Sequence, residues 1–372
     1  METHSPKSAL VIGASFAGIS TAFWMSRLGY AVTLVEIGKG IKRGGTPVDI
    51  RGGTVDIVKK MGLFDKVWAG RLPARPMTFR NRNGEITVQS PAQSVEAQGT
   101  SGECEIERDV LLDILFNAIQ PRVEILFGES VDAITDNEDS AAVRFKSGRQ
   151  RSFSIVFGAD GVHSATRRMQ FGPEANYAYF MHHYFGLSVV DKLLIDAETS
   201  QIWNVPGKSM MLNAYASKTD VAFTFYADDE IPYDHRDLPQ QKRLVATAFA
   251  GEDWSRDMMR ELANAPNFYF DKFCQIRMAS WTKGRVALVG DAGYCASPAA
   301  GMGGSLAIVG ASHIGDAFAK HPDDFQSAFA EYDRSLRPFV DEVQANAISE
   351  GLEMFAPRTE EAIQQRNAAL AG

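Results

Sequence analysis

The sequence predicts an α/β fold: a Rossmann-like nucleotide-binding domain, interrupted along the chain by an inserted, mainly antiparallel β-sheet domain, with a long C-terminal helix. Three observations predict it. The chain opens with an apolar run, a glycine-bearing turn, a helix-like run and a second apolar run, the order of a βαβ unit. A second glycine-dense stretch, Gly290-Asp291-Ala292-Gly293 leading to Pro298-Ala299-Ala300-Gly301-Met302-Gly303-Gly304, again stands between an apolar run and a helix-like run. Between the two lie alternating, aromatic-rich segments with turn signals, the texture of a separate sheet.

Taken in order, residues 8–12 read as a buried strand, 16–28 as a helix stopped by Gly29, and 31–36 as the next strand. Asn83-Gly84, between 77–80 and 86–89, is a strong short hairpin signal. Val110, Leu111, Ile114, Leu115, Ala118 and Ile119 recur at helical spacing. Strands near 123–127, 141–145 and 153–158 read as an antiparallel meander, with a turn at Lys146-Ser147-Gly148. Residues 210–216 and 221–227 alternate and form a second hairpin across Ser217-Lys218-Thr219-Asp220. Residues 285–289 return to a buried strand and 304–319 form a helix. A longer helix runs from 324 to about 351, bent at Pro338, which lacks the N–H a helix interior uses. The expected division is 1–70, 100–172 and 276–322 for the nucleotide-binding domain, 71–99 and 173–275 for the inserted domain, and 323–372 for the bridging helix.

Bulk properties narrow the function. A chain of 372 residues fits two joined domains, and 45% hydrophobic with 23% charged residues is an ordinary globular composition. A net charge of -8 gives no basic footprint for nucleic acid or an anionic membrane, so the expected partner is a small molecule. Cys104, Cys274 and Cys295 are too scattered for a metal site and read as reduced thiols. The first strand begins at Ser8, leaving no room for a secretory signal, and 292–312 is too rich in Gly, Ala and Ser for a membrane span; a cytoplasmic chain is expected, as a monomer or weak homodimer.

Chemistry concentrates in the loops. Gly13 permits a tight strand-to-helix turn and Gly18 close helix–strand packing, while Ser15 takes the place of the middle glycine. Glu36 ends the second strand, where an acid accepts ribose hydroxyls. In the second loop Asp291 is placed for ribityl hydroxyls; Pro298, Gly301, Gly303 and Gly304 open a helix whose positive end suits the pyrimidine edge of a reduced flavin. The alternative is an αβ turn with a capping Asp. Two loops of this kind point to a long, two-ended ligand, with FAD the candidate. No nucleophile elbow, zinc cluster or P-loop is present, so no side chain is assigned as catalytic and none as a metal ligand. His182-His183, adjacent in a strand, would face opposite sides and cannot both line one site. Tyr215, Phe223 and Phe225 are either core residues or the lining of a substrate pocket.

Together with Gly158-Ala159-Asp160-Gly161-Val162-His163-Ser164 and Arg167, the two loops and Glu36 resemble the single-component FAD-dependent aromatic hydroxylases related to para-hydroxybenzoate hydroxylase, over nearly the whole chain. The segment Gly44-Gly45-Thr46-Pro47-Val48-Asp49-Ile50-Arg51-Gly52 and the compact length look most like the tetracycline destructases and their FAD monooxygenase relatives. The resemblance implies bound FAD, NAD(P)H as a transient co-substrate, and O2 delivered through a flavin C4a-hydroperoxide to an aromatic, phenolic or enolic polycyclic molecule. It also implies cofactor roles for Arg108 and Asp160, and for Arg43, Asp49 and Arg51; Met302 stands where many relatives carry Gln. Read from the residues alone, Asp160 caps the Ser164 turn and Arg108 is a surface residue beside Glu105 and Glu107. The rival functions are an FAD oxidase or reductase on the same fold, a flavin-containing protein that sequesters its ligand, and a plain NAD dehydrogenase.

Overall fold

The computed structural model describes residues 7–91, 99, 101–265 and 267–371. Its first layer is a six-stranded sheet in the order Thr282–Lys283, Val286–Leu288, Ile155–Gly158, Ser8–Ile12, Ala31–Glu36, Val123–Phe127. All neighbours are parallel except the first pair. Its central strands are buried on both sides, which explains their continuous apolar character. The meander expected over 123–158 is smaller than the sequence reading. Val123–Phe127 and Ile155–Gly158 belong to the parallel sheet, and only Val131–Asp136, Ala141–Phe145 and Gln150–Phe153 form the antiparallel three. The apolar run 153–158 hides a switch of sheets at Ser154, whose N–H and hydroxyl bond to Ser8 at the edge of the first strand.

Register positions the site. Ile12 lies opposite Gly158, and Gly158 opposite Leu288, so three strands end level with one another. The loops that follow, from Gly13, Ala159 and Val289, therefore open at one edge, the carboxyl edge where open α/β sheets bind ligands. Helices Phe16–Arg27 and Gly303–Lys320 pack together behind that edge within the main core.

The second layer is a seven-stranded sheet in the order Tyr269–Ile276, Ala178–Val190, Lys218–Tyr226, Lys208–Tyr215, Thr199–Val205, Met77–Arg80, Ile86–Ser90. Helices Leu238–Ala248 and Arg256–Asn264 cover one face. The second hairpin turns more tightly than its sequence reading, with Tyr215 paired to Lys218 and only Ala216 and Ser217 between them; Ala216 takes φ +49. A third small element pairs Val48–Ile50 with Cys104–Ile106.

The C-terminal region is not one helix. Phe325–Asn346 runs unbroken through Pro338, a π-turn follows over Ala347–Gly351, and Leu352–Phe355 and Glu360–Ala371 complete the chain. No helix among the described residues is long and apolar enough to cross a membrane.

Candidate functional site

The two glycine loops meet. Gly290 takes φ +67, and a Cβ built there would lie 2.8 Å from the Ala17 Cβ in the first loop. A Cβ on Gly304 would lie 2.4 Å from the Val48 side chain and 3.7 Å from the Phe16 ring. Segments from three distant parts of the chain are therefore in contact, and only residues without side chains let them approach so closely. Gly13 adopts φ +106, whereas Ser15 is extended at φ -107 and stands at the N-cap position of the first helix without a side-chain capping bond, so serine at the middle position needs no glycine-only backbone. The Glu36 carboxylate accepts from the N–H of Ala14 at 2.9 Å and of Gly38 at 2.8 Å, which fixes it beside the loop.

Asp291 starts a short turn of helix, and burial lifts its carboxyl to about 6. It lines a cavity of about 160 Å³ together with Ser297, Pro298 and Gly303 from its own loop and Phe185, Tyr269 and Asp271 from the antiparallel sheet. The loop itself is held in an unusual shape: Ser297 has φ +81 and Gly301 φ +64. This cradle, a buried carboxylate beside two helix N-termini and close-packed glycines, fits FAD. The chain matches the model of the FAD binding domain family over residues 7–347. The chain belongs to this family of FAD-dependent aromatic hydroxylases. It is 34% identical to a flavin-dependent monooxygenase of an unknown prokaryotic organism, an alignment covering 98% of this chain and 95% of that one. Among solved structures it is similar to the tetracycline destructase Tet(51), with 30% identity, coverage of 99% and 96%, and a TM-score of 0.86. For the tetracycline destructase Tet(55) the values are 32%, 98% and 95%, and 0.85.

Not every expected contact lies in the cradle. The Asp160 carboxylate accepts from the Ser164 hydroxyl and from the Thr166 N–H and hydroxyl, all within its own turn, so the structure shows its capping role. Arg108 donates to the carbonyls of Lys42 and Gly44 and stacks on Phe16, fixing the loop before Val48 and not standing free on the surface. Arg43 turns outward to Asp113. Asp49 pairs with Arg51 at 3.1 Å while its carbonyl accepts from Ser305 in the helix after the second loop, and burial raises the Asp49 carboxyl.

The aromatic expectation needs correction. Phe223 and Phe225 point into the core beneath helices Leu238–Ala248 and Arg256–Asn264. Tyr215 is on the opposite face but buried, with its hydroxyl donating to Asp220 at 2.8 Å. The register decides this: Thr224, not Phe223 or Phe225, stands opposite Phe185, the residue that reaches the cavity. The sequence places His182-His183 in a strand but delimits neither Ala178–Val190 nor Tyr269–Ile276, the strands that carry Phe185, Tyr269 and Asp271. The signal was a lone acid inside the apolar run Tyr269-Phe270-Asp271-Lys272-Phe273.

Asp271 organises that side of the cavity. It accepts from Tyr233 at 2.7 Å, Tyr269 at 2.9 Å and His163 Nε2 at 3.2 Å; His163 Nδ1 lies 3.1 Å from Glu174. Hydrogen bonds to Asp271, then to Glu174, hold the imidazole protonated and push it up to about 9. His163 thus clamps the first layer to the second. Arg167, fully buried, donates to the carbonyls of Ala292 at 2.9 Å and Val162 at 2.6 Å and pairs with Glu174 at 2.9 Å, tying the Asp160–Ser164 turn to the Asp291 helix.

Proposed function

We propose that the protein is a monooxygenase that uses NAD(P)H and O2 to hydroxylate an electron-rich aromatic, phenolic or enolic polycyclic molecule at the Asp291 cavity. The observation that carries this is the shared wall: one side comes from the loop that fits FAD, the other from Phe185, Tyr269 and Asp271 of the antiparallel sheet. Such a slot presents a planar molecule to a flavin while keeping water out.

When bound, FAD supplies the electron transfer and oxygen activation. The chain's residues bind, orient and shield. Gly13, Ser15 and Gly18 shape the turn that offers backbone N–H groups and the first helix terminus to the pyrophosphate, and Glu36 accepts from ribose. Asp291 holds the ribityl chain. Pro298, Gly301, Gly303 and Gly304 bring the terminus of helix Gly303–Lys320 to the pyrimidine edge. Arg108, Asp49 and Arg51 fix the Val48–Ile50 strand against that terminus, Asp160 shapes its turn, and Arg43 serves the outer end of the same loop. The protein acts in the cytoplasm as a monomer or weak homodimer.

Purified protein is incubated with NADPH or NADH and a panel of phenolic and polycyclic compounds, a tetracycline first because of the similarity to Tet(51) and Tet(55). Mass spectrometry is expected to find a product gaining one oxygen. Peroxide with no oxygenated product from any compound would instead establish an oxidase.

A further inference from the structure

The long helix reaches the flavin loop through contacts that joining two domains does not require. Gln344, in its last turn, is buried, and its Nε2 donates to the carbonyls of Ile276 at 2.9 Å and Cys295 at 3.0 Å. Gln275 of the antiparallel sheet, fully buried, donates in return to the Gln344 carbonyl at 2.7 Å and reaches the Ala296 carbonyl at 3.4 Å. Beyond Gln344 the chain enters the π-turn, a form that recurs at functional sites. That turn sets Gly351 against the loop so closely that a Cβ would lie 2.1 Å from the Ala299 carbonyl oxygen. Ala347 and Ala299 share one buried cluster with Met181 and Phe273. The helix and the turn after it therefore grip Cys295 and Ala299, and Gln275 reaches Ala296, between Asp291 and the terminus of helix Gly303–Lys320.

We propose that Gln344, Gln275 and Gly351 are positioning residues for the flavin: seated against the loop, they hold the Gly303 helix terminus at the pyrimidine edge and so set FAD affinity and reduction potential. The proposal rests on the flavin reading of the Asp291 loop. A helix terminus aimed at the pyrimidine favours the anionic reduced flavin. Letting the loop drift removes that preference, so the loosened protein binds FAD more weakly and holds it at a lower potential.

The test compares apoprotein reconstituted with FAD in four forms: wild type, Gln344→Met, Gly351→Ala and Arg337→Ala. Gln344→Met keeps length and volume while deleting the donor. Arg337, about two turns earlier, pairs with Asp333 within the same helix and ties that helix to the Met278 carbonyl and the Trp281 ring, with no bond to a carbonyl of the loop. FAD dissociation constants come from fluorescence titration and midpoint potentials from dye-coupled reduction, with urea unfolding as the control for fold. Gln344→Met and Gly351→Ala are expected to weaken FAD about tenfold and to lose about tenfold in preference for the reduced form, which is about 30 mV for two electrons. Arg337→Ala is expected to lower stability alone. Wild-type affinity and potential in Gln344→Met, or equal shifts in Arg337→Ala, overturn the proposal with the flavin reading intact. A wild type that binds no FAD overturns that reading and the proposal with it. If Gly351→Ala does not fold, Gln344→Met, which adds no bulk, decides.

Discussion

Replacing His163 by Gln should destabilise the protein in a pH-dependent way whose direction the structure fixes. The rise from the ordinary imidazole value of 6.5 to about 9 corresponds to roughly 3 kcal/mol at about 1.4 kcal/mol per pH unit. The His163 side chain is 44% exposed, so solvent screening cuts this to about 1 kcal/mol. Folding strengthens proton binding here. The stabilisation is therefore complete below pH 6.5 and is lost as pH rises through 9. Asp271 keeps Tyr233, Tyr269 and the Lys272 N–H as donors, so the variant leaves no bare buried charge. Urea unfolding of both proteins at half-unit steps from pH 6 to 10 should show a gap of about 1 kcal/mol at pH 6 closing by pH 10. A gap that is constant, or that widens with pH, refutes the protonated clamp.

Gly18→Ala forces a Cβ to 1.8 Å from the Gly13 carbonyl oxygen, so the first helix must lift from its strand; FAD retention after gel filtration should fall at least about tenfold. Phe225→Ala, in the core beneath the helices, should cost about 3–5 kcal/mol in urea unfolding and leave FAD content of the folded fraction unchanged. Phe185→Ala should do the reverse, raising KM for an accepted substrate while stability changes less. Arg167→Met removes the donor of the Ala292 and Val162 carbonyls while Glu174 keeps His163, and should cost about 1–3 kcal/mol for each carbonyl and loosen FAD together, read by unfolding and flavin fluorescence.

How much of this was legible depended on how local the determinant was. Gly13, Gly18, Glu36 and the Asp291 loop announce themselves because turn geometry and strand ends are written in neighbouring residues. The seven-stranded sheet was only partly visible. The Asn83-Gly84 hairpin is a local signal and forms as read, through Met77–Arg80 and Ile86–Ser90. Ala178–Val190 was read as strand only at His182-His183 and was not delimited, because a register shift between Phe180 and Tyr184, with His182 at φ +55, breaks its alternation. Phe223 and Phe225 looked equally suited to pocket or core, since one alternating strand has two apolar destinations and only the covering helices select between them. Gln275 and Gln344 carry no sequence signal: their meaning comes from pairing between residues 69 apart, one in the last strand of the antiparallel sheet and one in the long helix.

The same long-range pairing explains how a strained loop survives. Ser297 at φ +81 is an unfavourable conformation for a residue with a side chain, costing about 1–3 kcal/mol, and such strain persists only where surroundings over-determine it. Here the surroundings act from two sides. Arg167 holds the Ala292 carbonyl from the first layer, Gln344 holds the Cys295 carbonyl from the long helix, and the Tyr332 hydroxyl of that helix holds the Leu288 carbonyl at 2.9 Å. Ser297 adds a local bond, its Oγ accepting from the Ala299 N–H. A loop so dense in glycine and alanine has little side-chain packing of its own, so its shape is set by bonds to its carbonyls from outside. The N–H groups of Gly293, Tyr294, Ala299, Ala300 and Gly301 donate within the loop, so it is the first turn of the Gly303 helix that presents N–H groups to a ligand, and the flavin site is a product of all three parts of the chain.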